Sequence, residues 1–457
     1  MYDEGHARQV VAALTDLLPH GQAPAEIFGD PDVYQHELRR IFARCWVFLA
    51  HESEIPRPND FVRRKIGEDD FIVVRDRTGE VRVLLDACRH RGVAVCRADS
   101  GNTPVFRCPY HGWTYDTSGR LTGAPIWREA LAGLPKEDLG LLPAARVDQR
   151  HGLIFATLDP TAPSLEAYLG GMAWYLDLLF GLNEHGVEVL APPQRFIMAA
   201  NWKSPAENFA GDDYHLATLH RSVWEVGAFP VPFEADMMGY HIQAAPGHSL
   251  SLSVAADGDD PGPRFWGLPD ELTGTFGTGC VGADQLALAG RTRVMVGTVF
   301  PNFSVLAQPA TEDVHAHPAT GVMTIRVWQP RGPGELEVWS WFCAYRNLSA
   351  AQRQRSYAAG LGTVSFGGAF EMDDAEPWTS TARTGRSVAA RTLGLTFNYQ
   401  MGSDGVGRVG RVPTWPGPGA VYSPRYEEGV QRNFLRFYAD VMACADGHWP
   451  VARAEPA

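Results

Sequence analysis

Cysteine is scarce and scattered in this chain of 457 residues, which contains only seven. So few, widely separated cysteines do not form the disulfide framework of a small secreted domain, so we expect reduced thiols, some of them metal ligands. Positive charge is also in short supply, since the formal net charge is −13. This balance argues against a nucleic-acid partner and against an anionic membrane surface, because both need a basic face.

Membrane and targeting signals are missing as well. The first residues, MYDEGHARQVVAALTDLL, have no basic segment ahead of an apolar run, so no secretory signal is predicted. No apolar run approaches the roughly 20 residues that a helix needs to cross a bilayer. No glycine-rich dinucleotide fingerprint opens a βα unit, so direct binding of NAD(P)H is not expected. We therefore expect a cytoplasmic protein with no membrane partner.

The pattern of apolar residues changes twice along the chain. Residues 1–39 are predicted to form a helical segment that packs on the larger domain, and residues 40–158 contain short strands typical of a small all-β domain. Residues 159–457 have strands followed by helices without βαβ alternation, which indicates an antiparallel sheet covered by helices. The predicted fold class is therefore α+β.

Several local patterns make narrower predictions. Residues 77–80 predict a hairpin turn, and Ser164 is expected to cap one helix that continues to Leu179. Residues 255–269 are predicted to form an exposed loop, and Ser423-Pro424 is expected to open the final helix. Five cysteines with no motif are expected to be packed free thiols, namely Cys45, Cys96, Cys280, Cys343 and Cys444.

The run CRHRGVAVCRADSGNTPVFRCPYHGW, residues 88–113, contains two short motifs that each pair one cysteine with one histidine. Gly92 and Gly112 allow the backbone to turn tightly beside a bound centre. A structural zinc ion accepts two cysteines and two histidines, but zinc motifs usually pair like with like. The mixed motifs favour a cluster with two distinct irons, one held by thiolates and one by imidazoles. The candidate ligands are Cys88, His90, Cys108 and His111.

A second group of metal-binding residue types lies in the run ENFAGDDYHLATLH, residues 207–220. His215 and His220 are five residues apart, a spacing that does not converge on a regular helix, so the helix must be locally irregular if both bind one metal. A carboxylate from Asp373 or Asp374 would complete the set of two histidines and one carboxylate used by non-haem Fe(II) oxygenases.

The two groups together resemble the large (α) subunit of Rieske non-haem iron aromatic-ring-hydroxylating dioxygenases. The chain looks most similar to the naphthalene-type enzymes of actinobacteria. The motifs that carry this resemblance are HESEIP, ACRHRG, CPYHGWTY, VFPNFS and NYQMG. The resemblance implies a Rieske domain at residues 40–158 with a 2Fe–2S cluster, and a catalytic domain at residues 159–457 with a mononuclear Fe(II).

The resemblance also implies roles for single residues. It selects His215, His220 and Asp374 as the iron ligands, with Asp373 as the neighbour. Asp212 matches an aspartate that links an iron-ligand histidine to a Rieske histidine of the next subunit, and Asn208 matches a residue close to the iron. Asp212 and Asn208 are therefore the candidate catalytic residues beside the ligands.

Two positions depart from the family pattern. Asp213 stands where naphthalene-type enzymes have a small apolar residue, and Val364 stands where they have a phenylalanine that shapes the pocket. Phe209, Leu216 and Phe370 still indicate an apolar wall. We expect a wider pocket, with Asp213 either facing the substrate or turned toward solvent.

The expected activity is cis-dihydroxylation of an aromatic small molecule, with O2 and with electrons from NAD(P)H through a reductase and a ferredoxin. Monooxygenation or oxidative dealkylation of a natural product is the alternative, and a non-catalytic electron-transfer or zinc-binding protein is a more distant one. The family assembles as homotrimers, often with three small β subunits. Arg89, Arg91 and Arg107 flank the cluster ligands, where they either meet the electron donor or pair locally.

Overall fold

The structure is a computed structural model that describes residues 2–233, 238–255, 263–277, 279–403, 409–445 and 448–450. It divides into two compact units. One is Phe42–Leu165, and the other combines Met1–Ile41 with Glu166–Ala457. Within the described ranges, no helix is long and apolar enough to cross a membrane.

The strands are numbered in chain order. They are β1 Gln22–Pro24, β2 Val47–His51, β3 Asp60–Ile66, β4 Asp69–Arg75, β5 Val81–Leu85, β6 Ser100–Asn102, β7 Val105–Arg107, β8 Thr114–Asp116, β9 Leu121–Gly123, β10 Arg146–Arg150, β11 Leu153–Thr157, β12 Val187–Val189, β13 Gln194–Met198, β14 Tyr240–Ala245, β15 His248–Val254, β16 Thr292–Val299, β17 Phe303–Ala310, β18 Thr320–Gly332, β19 Glu335–Tyr345, β20 Thr396–Asn398, β21 Gly410–Arg411 and β22 Ala420–Ser423.

The α-helices are referred to by their bounds. They are Glu4–Leu17, Pro31–Glu37, Leu165–Leu169, Met172–Phe180, Lys203–Asn208, Arg221–Glu225, Asp270–Thr273, Ala283–Arg291, Ala350–Thr363, Ala369–Gly385, Val388–Thr392 and Gly429–Ala443. The strands pair in antiparallel fashion in both units, which confirms the predicted α+β class.

The smaller unit consists of three small sheets, in the orders β5-β4-β3-β6, β7-β8-β9 and β10-β11-β2. The predicted hairpin joins β4 to β5, where Gly79 has φ +92° and Asp76 Oδ1 accepts hydrogen bonds from the backbone N–H of Thr78 and Glu80. Its buried core includes Ile72 and Trp113 together with two of the candidate ligands, Cys88 and Cys108. The thiols therefore lie at the inner side of this unit.

The larger unit is organised around a ten-stranded sheet. Its order is β12-β19-β18-β17-β16-β15-β14-β22-β21, and β13 also pairs with β19. The first and last helices of the described residues pack together, because helix Glu4–Leu17 contacts helix Gly429–Ala443. Glu37 ties them further: its buried carboxylate pairs with Lys203 and accepts hydrogen bonds from Trp202 Nε1 and Tyr438 Oη, both at 2.7 Å.

Three local predictions are wrong in detail. The single helix expected from Ser164 to Leu179 is two helices, broken at Gly170-Gly171, where a Cβ on Gly171 would lie 2.3 Å from a backbone oxygen. The final helix begins at Gly429 rather than at Ser423-Pro424. Residues 256–262 of the expected exposed loop 255–269 lie outside the described residues. Trp266, which follows them, is fully buried and not exposed.

The unassigned cysteines follow the prediction in part. Cys45, Cys96 and Cys343 are buried. Cys280 is exposed and Cys444 is partly exposed, so for these two the expectation of a buried thiol is wrong.

Candidate active site

The first candidate site is built from two loops with the same backbone hydrogen bonds. In one, Cys88 N–H donates to Val93 O and Gly92 N–H donates to Cys88 O, at 2.9 and 2.8 Å. In the other, Cys108 N–H donates to Trp113 O and Gly112 N–H donates to Cys108 O, at 2.8 and 3.0 Å. The two glycines have φ of +73° and +72°, a conformation that side-chain-bearing residues rarely adopt.

The histidines of these loops lie side by side. The ring centroids of His90 and His111 are 4.5 Å apart, and Trp113 stacks on His90 with an interplanar angle of 6°. His90 is exposed, whereas both cysteines are buried. The two thiols therefore lie inside this unit, and the ring of His90 reaches its surface.

The chemistry of these side chains fits an iron–sulfur centre. His111 Nδ1 is buried and has no hydrogen-bond partner among the described residues. Burial raises the pKa of the Cys88 thiol, and the adjacent Cys108 raises it further, although a hydrogen bond with Tyr115 Oη opposes the change. Two adjacent buried thiols gain a partner for their negative charge when they bind iron.

The second candidate site lies on an irregular stretch between two helices. Helix Lys203–Asn208 ends at Asn208, a short 3₁₀ turn follows at Tyr214–Ala217, and helix Arg221–Glu225 begins after His220. Gly211 has φ +136°, and a Cβ there would lie 3.2 Å from Val430 and 3.3 Å from His241. The chain therefore follows the predicted non-helical path that allows residues five apart to converge.

Three of the predicted ligands converge at this site. Asp374 Oδ1 lies 3.7 Å from His215 Nε2 and 3.3 Å from His220 Nε2. One ligand atom from each of the three residues lies within 4.8 Å of the others. Asp374 Oδ1 and His215 Nδ1 are buried without a hydrogen-bond partner among the described residues. Two imidazoles and a carboxylate with unused acceptors are a donor set that fits a divalent iron.

The neighbouring carboxylates have separate positions around the histidines. Asp373 Oδ2 lies 3.2 Å from His220 Nδ1, on the side of the ring away from Asp374. Asp212 Oδ2 lies 3.6 Å from His215 Nδ1 and 3.4 Å from Asn208 Nδ2. Burial lowers the pKa of His215, but Asp212 and Asp374 outweigh this effect and raise it to about 9. The site therefore favours a bound positive charge.

A cavity with an empty volume of about 660 Å³, part of it open to solvent, adjoins these residues. Its walls include all five predicted pocket residues, namely Phe209, Asp213, Leu216, Val364 and Phe370. Strands β16 and β17 contribute its sheet side through Val294, Val296, Leu306 and Gln308.

Asp213 is not turned toward solvent, and its carboxylate is already occupied by protein partners. It is buried at the cavity wall, where Oδ1 accepts from Arg425 at 2.9 Å and Oδ2 contacts His241 Nε2 at 2.7 Å and Ser251 Oγ. Burial alone would raise its pKa, but Arg425 and His241 hold it well below its usual range. Asp213 is thus a fixed anion whose charge is already neutralised.

A second buried ion pair at the cavity was not predicted. Arg326 pairs with Glu371 and donates to Val364 O at 2.7 Å, and its guanidinium lies 5.0 Å from the Phe209 ring centroid. Burial raises the pKa of Glu371, and Arg326 opposes this. The sequence does not predict this pair, because Arg326 on β18 and Glu371 on helix Ala369–Gly385 are 45 residues apart and only the folded chain brings them together.

Two family models match the sequence. Residues 45–135 match the Rieske [2Fe-2S] domain. Residues 165–444, more than half of the chain, match the ring hydroxylating alpha subunit (catalytic domain). The chain belongs to the ring-hydroxylating alpha subunits.

Curated relatives and solved structures agree with this membership. The alpha subunit of N,N-dimethyl phenylurea N-demethylase from Sphingobium sp. is 39% identical over 95% of this chain and 94% of that protein. The alpha subunit of biphenyl 2,3-dioxygenase from Rhodococcus jostii is 35% identical over 91% of this chain and 88% of that protein. Naphthalene 1,2-dioxygenase from Rhodococcus sp., solved with indole, is 42% identical with a TM-score of 0.90, over 95% of this chain and 98% of that one.

Membership settles the class of cofactor and of reaction. The ring-hydroxylating alpha subunit carries a Rieske [2Fe-2S] domain and a catalytic domain of the kind that binds mononuclear iron. Its relatives include alpha subunits of aromatic-ring dioxygenases, and the chain is the catalytic subunit of an oxidoreductase that works with electron-transfer partners. The expected resemblance to this family is confirmed.

The structure also positions the arginines beside the cluster loops. Arg89, Arg91 and Arg107 are all exposed. The Arg89 side chain donates to Asp138 O at 3.4 Å, and its backbone N–H donates to Tyr115 Oη at 3.0 Å.

Proposed function

We propose that this alpha subunit catalyses the O2-dependent cis-dihydroxylation of an aromatic ring. The observation that supports it most is the convergence of His215, His220 and Asp374 beside a largely apolar cavity, in a chain that also has paired cysteine–histidine loops. Electrons would come from NAD(P)H through a reductase and usually a ferredoxin. This supply places the reaction in the cytoplasm, where NAD(P)H is available.

The proposed ligands follow from the two geometries. Cys88, Cys108, His90 and His111 would hold the [2Fe-2S] cluster, with the buried thiols on one iron and the outer imidazoles on the other. His215, His220 and Asp374 would hold the mononuclear iron and leave other coordination positions open. When bound, the two centres supply electron transfer and activation of oxygen.

The remaining residues would position and insulate the reactants. Phe209, Leu216 and Phe370 would pack against the ring of the substrate and exclude water from the metal-facing side. Asp373 would fix the ring of His220 through Nδ1, so that Nε2 faces Asp374. The protein thus contributes placement, and the cofactors contribute the redox chemistry.

Asp212 would have a separate role in electron transfer. Its carboxylate is partly exposed, lies 3.6 Å from His215 Nδ1 and is within reach of the Asn208 amide. We propose that it links His215 to a cluster histidine of the neighbouring subunit, in a homotrimer that includes small β subunits where these exist. Exposed Arg91 and Arg107 would contribute to docking of an acidic electron donor.

Oxidative N-dealkylation is the second candidate function. The observation that favours it is the identity of 39% to the alpha subunit of an N-demethylase over nearly the whole chain. The same metal centres would serve, and the substrate would present an N-alkyl group instead of a ring edge. Asp213 and Val364, the two wall positions that differ from the family pattern, favour neither reaction over the other.

Isotope labelling separates the candidates. The purified subunit would be supplied with a surrogate reductase and ferredoxin, aromatic hydrocarbons or N-alkyl anilines, and labelled O2. Two labelled oxygens in one cis-diol support dihydroxylation, whereas an aldehyde and a dealkylated amine support the alternative. His215→Ala is the control, since it should keep the brown colour of the cluster and lose turnover. An iron content of about three per chain is expected, against two for a protein that only transfers electrons and none for a zinc protein.

A further inference from the structure

A glutamine with no hydrogen-bond partner for its amide nitrogen lies at the wall of the cavity. Gln308 is on β17, two residues after Leu306, so the two side chains share one face of the sheet, and both line the cavity. Gln308 is only 5% exposed. Its Nε2 has no hydrogen-bond partner among the described residues. Buried donors are nearly always paired in folded proteins, so this one is available to a ligand.

Two hydroxyls on the same face of the sheet are also unpaired. Ser253 pairs in register with Val294 and Thr324 with Leu306, and both of these partners line the cavity. Ser253 and Thr324 are buried, and their side-chain oxygens have no hydrogen-bond partner within the described part of the chain. These two hydroxyls share the face of the sheet that carries Gln308 but do not line the cavity, so Gln308 is the polar side chain that β16 and β17 contribute to its wall.

The charges around the cavity disfavour an anionic ligand. Each of the two arginines at its wall is paired, Arg425 with Asp213 and Arg326 with Glu371. The other two wall carboxylates, of Asp212 and Asp374, lie beside the histidines. Apart from the histidines, these two arginines are the only basic side chains among the described wall residues. Away from the proposed iron, a carboxylate on the substrate would find no arginine left to balance it.

An acceptor accompanies the donor. Oε1 of Glu371 is buried at the same cavity and has no hydrogen-bond partner among the described residues, while the other oxygen of this carboxylate meets Arg326. The residues at this cavity therefore include one unpaired amide donor and one unpaired carboxylate acceptor. A neutral substituent that carries both a carbonyl oxygen and an N–H group complements this pair.

We propose that the substrate is a neutral aromatic compound with an amide-type substituent, and that Gln308 selects it by donating to the carbonyl oxygen. This inference rests on the proposed function, since it names the substrate class of the same cavity. Gln308 is thus a specificity-determining residue, whereas an unsubstituted hydrocarbon would leave its amide unpaired.

The test uses three ligands with the same heavy-atom skeleton. Acetanilide is the amide, isobutylbenzene the hydrocarbon and phenylacetate the anion. Their dissociation constants would be measured by calorimetry on the holoenzyme without an electron donor, so that no turnover occurs. We expect acetanilide to bind most tightly and phenylacetate most weakly.

Substitutions at Gln308 then identify the residue responsible. Gln308→Met keeps the unbranched shape and should weaken acetanilide binding about tenfold, the size of one net hydrogen bond, and leave isobutylbenzene unchanged or tighter. Gln308→Leu, which also removes the amide donor, gives the same comparison if the Met variant does not fold. Gln329→Met is the matched control: it is a buried glutamine on β18 outside the cavity, so it should leave the ligand preference unchanged.

The inference is overturned if phenylacetate binds best, or if both Gln308 variants leave the ratio of acetanilide to isobutylbenzene unchanged. Failure of the proposed function is distinguishable from this. If the Gln308-dependent preference is present but an electron donor and O2 yield no oxidised product from any ligand, the cavity assignment stands and the proposed reaction fails. If hydrocarbons are oxidised without such a preference, the proposed reaction stands and this inference fails.

Discussion

Asp373 and Asp374 are adjacent in sequence, yet their conversion to asparagine should have very different effects. Asp374 Oδ1 lies 3.3 Å from His220 Nε2 and 3.7 Å from His215 Nε2. Among the described residues it is the only carboxylate that contacts both rings at Nε2, and Asp374→Asn removes it. We expect this variant to lose its mononuclear iron. Asp373 Oδ2 instead contacts His220 Nδ1 at 3.2 Å, so Asp373→Asn changes only how that ring is oriented.

The size of the smaller effect follows from the role of an orienting partner. Loss of a carboxylate that orients a metal-binding histidine typically weakens metal affinity by about 10- to 100-fold, or about 1.4 to 2.7 kcal/mol. The asparagine retains an oxygen that accepts from the Nδ1 proton, so we expect the lower end of this range. Asp373→Asn should therefore bind iron at stoichiometric concentration and release it to a weaker chelator than the parent protein does.

The assay is an iron count after dialysis, followed by titration with chelators of graded affinity. Visible absorbance of the Rieske cluster reports folding of the smaller unit in the same sample. Folding of the larger unit is checked by thermal unfolding of the iron-depleted proteins. The reasoning is refuted if Asp374→Asn keeps its third iron, or if Asp373→Asn loses it while Asp374→Asn does not.

Three further predictions concern other parts of the larger unit. Arg425→Met leaves the buried Asp213 carboxylate without its arginine, so we expect the free energy of unfolding, measured by chemical denaturation, to fall by about 3–5 kcal/mol. A decrease of less than about 1 kcal/mol would contradict a stabilising role of this ion pair. Burial lowers the pKa of His248 to about 4, and its neutral ring donates to Tyr168 O and accepts from Phe300 N–H. As the pH falls, this histidine therefore takes up a proton in the unfolded chain before it does so in the folded chain. His248 should stabilise the fold fully above pH about 6.5, and this contribution to the free energy of unfolding should decrease by about 3 kcal/mol as the pH falls to about 4. His248→Gln should remove this dependence, and an unchanged pH profile of stability would exclude His248 as its source. Val364→Phe should narrow the cavity and shift the product profile for two-ring substrates, whereas identical products would remove Val364 from substrate contact.

The cluster motifs are readable in the sequence because each of them is local. Each loop contributes a cysteine and a histidine within four residues, and its shape depends on hydrogen bonds from Cys88 and Cys108 to residues five positions later. The structure brings the histidines of the two loops together as expected. The fold class was predictable for a similar reason, since antiparallel strands follow one another along the chain.

The iron site and the cavity were predictable only in part. The irregular path between His215 and His220 follows from their spacing, but the choice of Asp374 over Asp373 depends on which face of helix Ala369–Gly385 meets them. The partners of Asp213 come from residues 241, 251 and 425, which no local pattern connects. Long-range strand register and helix packing decide such contacts, and a single sequence does not encode them in any spacing.

The larger unit is discontinuous in sequence, and this affects how the protein is made. Residues 42–165 form a contiguous block that can fold as soon as it leaves the ribosome. The other unit needs both ends of the chain, because Glu37 is neutralised by Lys203 and bonded to Tyr438 in the last helix. The carboxylate of Asp374 also emerges 154 residues after His220. Synthesis should therefore deliver a finished iron–sulfur module well before the oxygen-activating half can capture its metal, and nascent chains stalled before the last helix should carry the cluster alone.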